Sequence, residues 1–155
     1  MFGAIFDLID KVKSLDVNKI AVFCYYDKDI QRLILRANRI EQLAEGLNTE
    51  GEIIGYYKSG SVFESDSKTY TFENISVQKI EGEPYNFIDS GAFMRSFEMV
   101  VYPDGFSIIA DTDKGEDDLA IKYKNLLGLT DDNKEQLAQA MVPLFIEQIR
   151  KTLLS

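Results

Sequence analysis

Apolar residues recur along this chain at three spacings, and each spacing predicts a kind of element. Residues 2–15 place Phe2, Ile5, Phe6, Ile9 and Val12 at the i, i+3, i+4, i+7 positions of an amphipathic helix, with Asp7, Lys11 and Lys13 opposite. That polar face mixes both signs, so the helix is expected to pack on the core or on a neighbouring subunit; insertion at a membrane surface favours a basic face. Residues 19–26 are β-branched and aromatic and fit either a strand or a buried helical turn. Asp27 carries the short acceptor side chain of a helix N-cap and precedes Ile30, Leu33, Ile34 and Ala37 on one face. Asn38-Arg39-Ile40-Glu41 has the form of a second capping box, which predicts a break there and a short helix ending near Gly46.

Further on the spacing shortens. Residues 52–57 read as a strand, Lys58 to Ser67 as a polar, mobile loop, and Thr69 to Lys79 as a short hairpin or edge strand with Tyr70 and Phe72 on one face. Two apolar runs, 97–101 and 106–109, flank Tyr102-Pro103-Asp104-Gly105-Phe106, and together they predict an antiparallel hairpin over 97–109. Pro103 presets φ at the second turn position, and Gly105 is expected to supply a positive φ at the fourth. Residues 116–124 suit a helix. Thr130 caps the last one, where Leu137, Met141, Phe145, Ile149 and Leu153 repeat every fourth residue. Pro143 should kink this helix or divide it in two. The fold class expected is α+β: an antiparallel sheet holding the hairpin, packed by helices, with a kinked C-terminal helix. No repeat or composition break interrupts residues 1–155, which read as one domain.

Charge and residue types narrow the chemistry. Seventeen basic against 26 acidic residues give a net charge of −9, which disfavours anionic membranes and nucleic-acid grooves as adhesive partners. The chain has no histidine, so Ser-His-Asp and Cys-His nucleophiles, histidine-held metals and the usual neutral-pH base are all excluded. Cys24 is the one cysteine and reads as a buried, inert thiol. The start of the chain lacks a basic segment, Asp7 and Asp10 interrupt its apolar run, and no window reaches membrane-span length, so synthesis in the cytosol is expected. Ser65-Asp66-Ser67-Lys68 matches a Ser-x-x-Lys pair without its companion motifs. The carboxylate-rich stretch 111–118 fails as a calcium loop, because Glu116 and Lys122 stand where glycine and glutamate are needed. It reads as a solvated loop feeding a helix start. No cofactor or metal is expected.

Asp89-Ser90-Gly91 raises the question of a catalytic step against a structural hinge. The hinge is favoured: Ser90 can accept a bond from an amide of the next turn, Gly91 can adopt backbone geometry closed to other residues, and Phe93, Met94 and Phe97 can reach the core. The stretch Asp89-Ser90-Gly91-Ala92-Phe93-Met94-Arg95-Ser96-Phe97 also resembles the Asp-Thr-Gly-x-Leu-x-x-Ser-Ile signature of tailed-phage virion-morphogenesis proteins, the minor tail or neck components. In both, a hairpin, a less regular segment and a Phe-Leu-Gly-Leu-Ser/Thr-like stretch follow in that order, here Leu126-Leu127-Gly128-Leu129-Thr130, and then a C-terminal helix. The resemblance covers roughly residues 38–155 and leaves the first 37 unmatched. It departs from the family after the hairpin, where Ile121-Lys122-Tyr123-Lys124 replaces a Tyr-Ala and His pattern, and the 58–80 segment is unlike it.

The resemblance implies a structural virion protein, not an enzyme. It would form a ring at the head–tail junction or tail end, contact itself and adjacent portal, connector or tail proteins, and encircle DNA without gripping it. Such a protein would be found in the virion, and in the host cytoplasm during assembly. Asp89, Ser90, Gly91, Arg95, Ser96, Phe97, Gly105, Gly128 and Thr130 would be its structural motif. A non-viral protein-binding module and a small carboxylate-dependent enzyme are the alternatives.

Overall fold

Two aspartates start the helical half of the chain. Asp16 Oδ1 accepts from the amides of Asn18 and Lys19, and Asp27 Oδ1 from those of Asp29 and Ile30. They open α2 (Val17–Tyr25) and α3 (Lys28–Arg36), which follow α1 (Phe2–Lys13). The structure is a computed structural model and describes residues 2–58 and 68–155. Residues 19–26 are therefore helical, and the cap at Asp16 decides between the two readings open to a β-branched run. At Asn38 the expected break does not occur. The helix widens into a π-helical segment, Ala37–Gln42, and then tightens into a 3₁₀ turn, Leu43–Glu45, closed by Gly46 in the left-handed region. Asn38 is no cap because its side chain is fully buried and bonded elsewhere in the chain.

One expected strand is absent among the described residues. Residues 52–57 form no strand: Ile53 bridges Leu47, Tyr56 bridges Pro84, and the segment divides its hydrogen bonds between these two neighbours. At the changeover Gly55 lies against the Tyr85 ring, so close that a Cβ there would sit 2.5 Å from the ring. The sheet is two separate antiparallel hairpins, β1 (Tyr70–Phe72) with β2 (Ile75–Val77), and β3 (Glu98–Tyr102) with β4 (Gly105–Ile109). The second hairpin closes on two residues, with Tyr102 paired to Gly105. Gly105 thus belongs to the ladder and does not take the positive φ expected of it. A lone hairpin is marginal in water. This one is held by α2, where Tyr25 meets Phe106 edge-on at 4.8 Å.

Between the second hairpin and the last helix, helical structure is confined to α5 (Leu119–Lys122), after the short α4 (Ala92–Arg95). The helix expected from residue 116 starts later because a bridge between Asp113 and Asp118 and the bond from Lys114 N to Asp117 O use residues 113–118 in a tight loop. The last helix, α6 (Asp131–Leu154), is capped by Thr130 as expected and runs undivided through Pro143, which has no N–H to donate to the Gln139 carbonyl. One hydrophobic cluster joins α3, the π segment, both hairpins and the first half of α6, through Ile34, Leu43, Ile88, Met94, Ile108 and Leu137 among others. Each such side chain contributes about 1.5–3 kcal/mol by leaving water.

Candidate functional site

The signature residues gather where the chain changes direction. Gly91 has φ +83°, a region that costs a β-branched residue dearly, and Ser90 Oγ accepts from the amide of Ala92 at 3.2 Å. Arg95 reaches back to donate to the Ser90 carbonyl at 3.0 Å, and Ser96 Oγ donates to the Phe93 carbonyl while accepting from the amide of Asp111. Ser96 therefore ties the hinge to the far end of β4. Phe93, Met94 and Phe97 are buried, and the rings of Phe93 and Phe97 meet edge-on at 5.1 Å. Asp89 is exposed and lies 3.9 Å from the Lys79 ammonium. The shallow depression here, about 420 Å³, has its serine oxygen engaged by the Ala92 amide and Lys114 lying on the Phe93 ring. These bonds hold Asp-Ser-Gly in a fixed turn, the geometry that a structural hinge requires.

The second half of the motif is gripped by a polar joint that the sequence pattern did not reveal. Asn38 donates to the Leu126 carbonyl at 2.9 Å and accepts from the Gly128 amide at 3.0 Å. Gln42 donates to the Gly128 carbonyl, and its Oε1 accepts from the Thr130 amide and from Asn133 Nδ2 at 2.8 Å. Gly128 sits at φ +142° with Thr49 packed on it. Thr130 Oγ1 accepts from the amide of Asn133 and so caps α6. Asn38 and Gln42 are 0% and 1% exposed, and among the described residues no buried side-chain polar atom lacks a partner. A sign of this joint was present in the sequence. Asn38 and Gln42 continue the every-fourth-residue stripe of Ile30 and Ile34, and amides on an apolar stripe must find partners in the interior.

An aromatic chain joins the hinge to the irregular segments. Tyr57 meets Tyr85 at 5.0 Å, Tyr85 meets Tyr123 at 5.8 Å, and Phe87 meets Tyr123 at 5.6 Å and Phe93 at 6.4 Å. Burial pushes the Tyr57 and Tyr123 phenols above their ordinary range, and burial with the Asp27 charge does the same to the Cys24 thiol. The raised pKa and burial of Cys24 make it a poor nucleophile, as expected.

The carboxylates of 111–118 bond to their own loop. Asp111 accepts from the Asp113 amide, Asp113 from the Gly115 amide, and Asp118 from the Ala120 amide and the Thr112 hydroxyl. Among the described residues no three acidic, cysteine or histidine side chains are placed to hold a metal ion. Ser65 of the Ser-x-x-Lys pair lies outside the described residues, as does the expected loop from residue 59 to 67. The Lys68 ammonium lies over the Tyr70 ring.

Two apolar surfaces are left open. The apolar face of α1 is exposed throughout, and α1 buries no residue. Along α6 and beside Tyr25 runs an apolar groove of about 380 Å³ lined by Met141, Val142, Phe145, Ile146 and Ile149. Among the described residues no helix is long and apolar enough to cross a membrane. No family model matches the chain, and no curated protein or solved structure matches it.

Proposed function

We propose that this chain is a structural component of a tailed-phage neck or tail, assembling with copies of itself into a ring around the DNA channel. The observation that carries the reading is the uncovered apolar face of α1, where Phe2, Ile5, Phe6, Leu8, Ile9 and Val12 are all exposed. Contiguous apolar surface of this kind marks contact between proteins. The signature residues support the same reading, because Gly91, Ser96, Gly128 and Thr130 set backbone direction and packing. Their geometry is that of a scaffold.

The charge distribution fits a passive conduit. Arg39 of the π segment and Arg36 share Glu73, at 3.1 and 4.0 Å, and Arg32 pairs with Asp29, so two carboxylates offset part of this basic stretch. With a net charge of −9 per copy, a ring wall repels duplex DNA over a screening distance of about 8 Å at physiological salt. Negative-stain microscopy of the concentrated protein is expected to show annular particles of one diameter. Isolated small particles at every concentration would contradict the reading. Fluorescence anisotropy should detect no submicromolar duplex binding even at about 50 mM salt. Tight binding that weakens linearly with log salt would replace the conduit with a DNA-gripping role.

A further inference from the structure

We infer that the contact between copies is made by α1 of one copy lying antiparallel in the α6 groove of the next. The inference rests on the self-assembly reading and names its surfaces. The groove is already formed: Tyr25, Phe145 and Ile149 line it with the buried Met141 and the exposed Val142 and Ile146. Toward the start of α6 it continues into a wider depression of about 690 Å³ that shares Tyr25, Ala138 and Met141 and includes Lys134. No α1 residue lines either stretch, although α1 belongs to the same chain. Within its own chain α1 lies beside α6, where the Lys11 ammonium donates to the Ser155 carbonyl, and its apolar face stays exposed there.

Length, apolar spacing and charge select α1 of a second copy as the occupant. Its 12 residues span about 18 Å, and the groove from Lys134 to Ile149 runs for about 22 Å at the same rise per residue. An amphipathic helix in an apolar groove is a recurring mode of recognition, anchored at i, i+3, i+4 and i+7. In the antiparallel direction Phe6 falls beside Val142, Phe2 beside Ile146 and Lys13 beside Glu135. The 100° step of the helix brings Lys13 to the flank of the apolar face and not opposite it, so Lys13 then meets the acidic start of α6, where Asp131 and Asp132 occupy the first turn, while Asp10 comes within reach of Lys134. The parallel direction would bring Lys13 to the far end of the groove, among Glu147, Arg150 and Lys151, and leave that acidic start unmatched. Helix and groove are different patches, so each copy donates one and accepts one, and the contact propagates head to tail until it closes.

Sedimentation equilibrium of the full chain tests this, with Phe6→Asp and a mixture of two single-substitution chains, Ile9→Cys and Ala138→Cys. The wild type is expected to associate, Phe6→Asp to weaken association by more than about tenfold, a loss typical of a buried anchor, with an unchanged circular dichroism spectrum. Under mild oxidation the cysteine mixture should give a disulfide between the two different chains in preference to either chain with itself. A wild type that stays monomeric at about 100 μM would overturn both this contact and the ring. Association undiminished in Phe6→Asp, or cysteine chains that pair only with themselves, would overturn the α1 contact and leave the ring to be made by another surface.

Discussion

In α3, Ile30 and Ile34 are 4% and 0% exposed; in α1, Phe2 and Phe6 are 75% and 63% exposed, although both helices repeat apolar residues at the same spacing. The difference lies in what continues each stripe. The α3 stripe runs on into Asn38 and Gln42, whose amides hold the Leu126–Thr130 backbone and bring the rest of the chain over it. The α1 stripe ends at Lys13 with no such clamp. Periodicity thus selects a face, and a specific polar joint decides whether the chain itself covers that face. Where it does not, the apolar face stays exposed.

The joint is the place to break this contrast. Asn38→Leu leaves a part-buried amide at Gly128 and a buried carbonyl at Leu126 unpaired, and is expected to cost about 2–5 kcal/mol. Urea denaturation should show the midpoint falling accordingly, and a loss under about 1 kcal/mol would mean that the joint is not what holds the 126–133 segment. Gly91→Val should cost about 1–3 kcal/mol, from its φ of +83° and the Arg95 guanidinium that a new Cβ would meet at 2.5 Å. Equal melting temperatures for that variant and the wild type would remove the hinge.

Alkali separates the two regions without mutation. Cys24, Tyr25, Tyr57 and Tyr123 all have pKa values raised chiefly by burial, and all lie outside α1. The folded state keeps protons that the unfolded chain gives up, so their contribution is intact below the ordinary values of about 8.5 for a thiol and about 10 for a phenol. It is lost as pH rises through those values toward the folded ones. The melting temperature should therefore fall above about pH 9 through these groups, and a stability unchanged to pH 11 would show them to be solvated. The smallest effect belongs to the acidic loop. Asp111→Asn with Asp113→Asn should change stability by under about 0.5 kcal/mol, and micromolar calcium binding abolished by that pair would revive the carboxylate-dependent alternative.

Elements whose cause is local were legible in the sequence. The Asp27 and Thr130 caps, the Gly46 stop, both hairpins and the Gly91 hinge each depend on one or two residues with a specific backbone demand. The failures have distant causes. Asn38 looks like a cap only until its partner 88 residues away is known, and residues 52–57 look like a strand until Pro84 and Tyr85 take half of their hydrogen bonds. Gly105 reads like a positive-φ residue because glycine often supplies one in a turn, but here it pairs with Tyr102 inside the ladder and has no positive φ. The positive φ of Gly91 and the cap at Thr130 follow from their residue types; the amide joint around Gly128 does not, since Gln42 matches no motif.

The most direct measurement is amide hydrogen exchange followed region by region across a hundredfold range of protein concentration. Opening of α3 is governed by the interior of one chain, so its protection should not depend on concentration, whereas α1 should exchange quickly when dilute and become protected as copies associate. Protection of α1 that stays low, or stays the same, across the whole range would contradict the claim that its apolar face is covered by another copy.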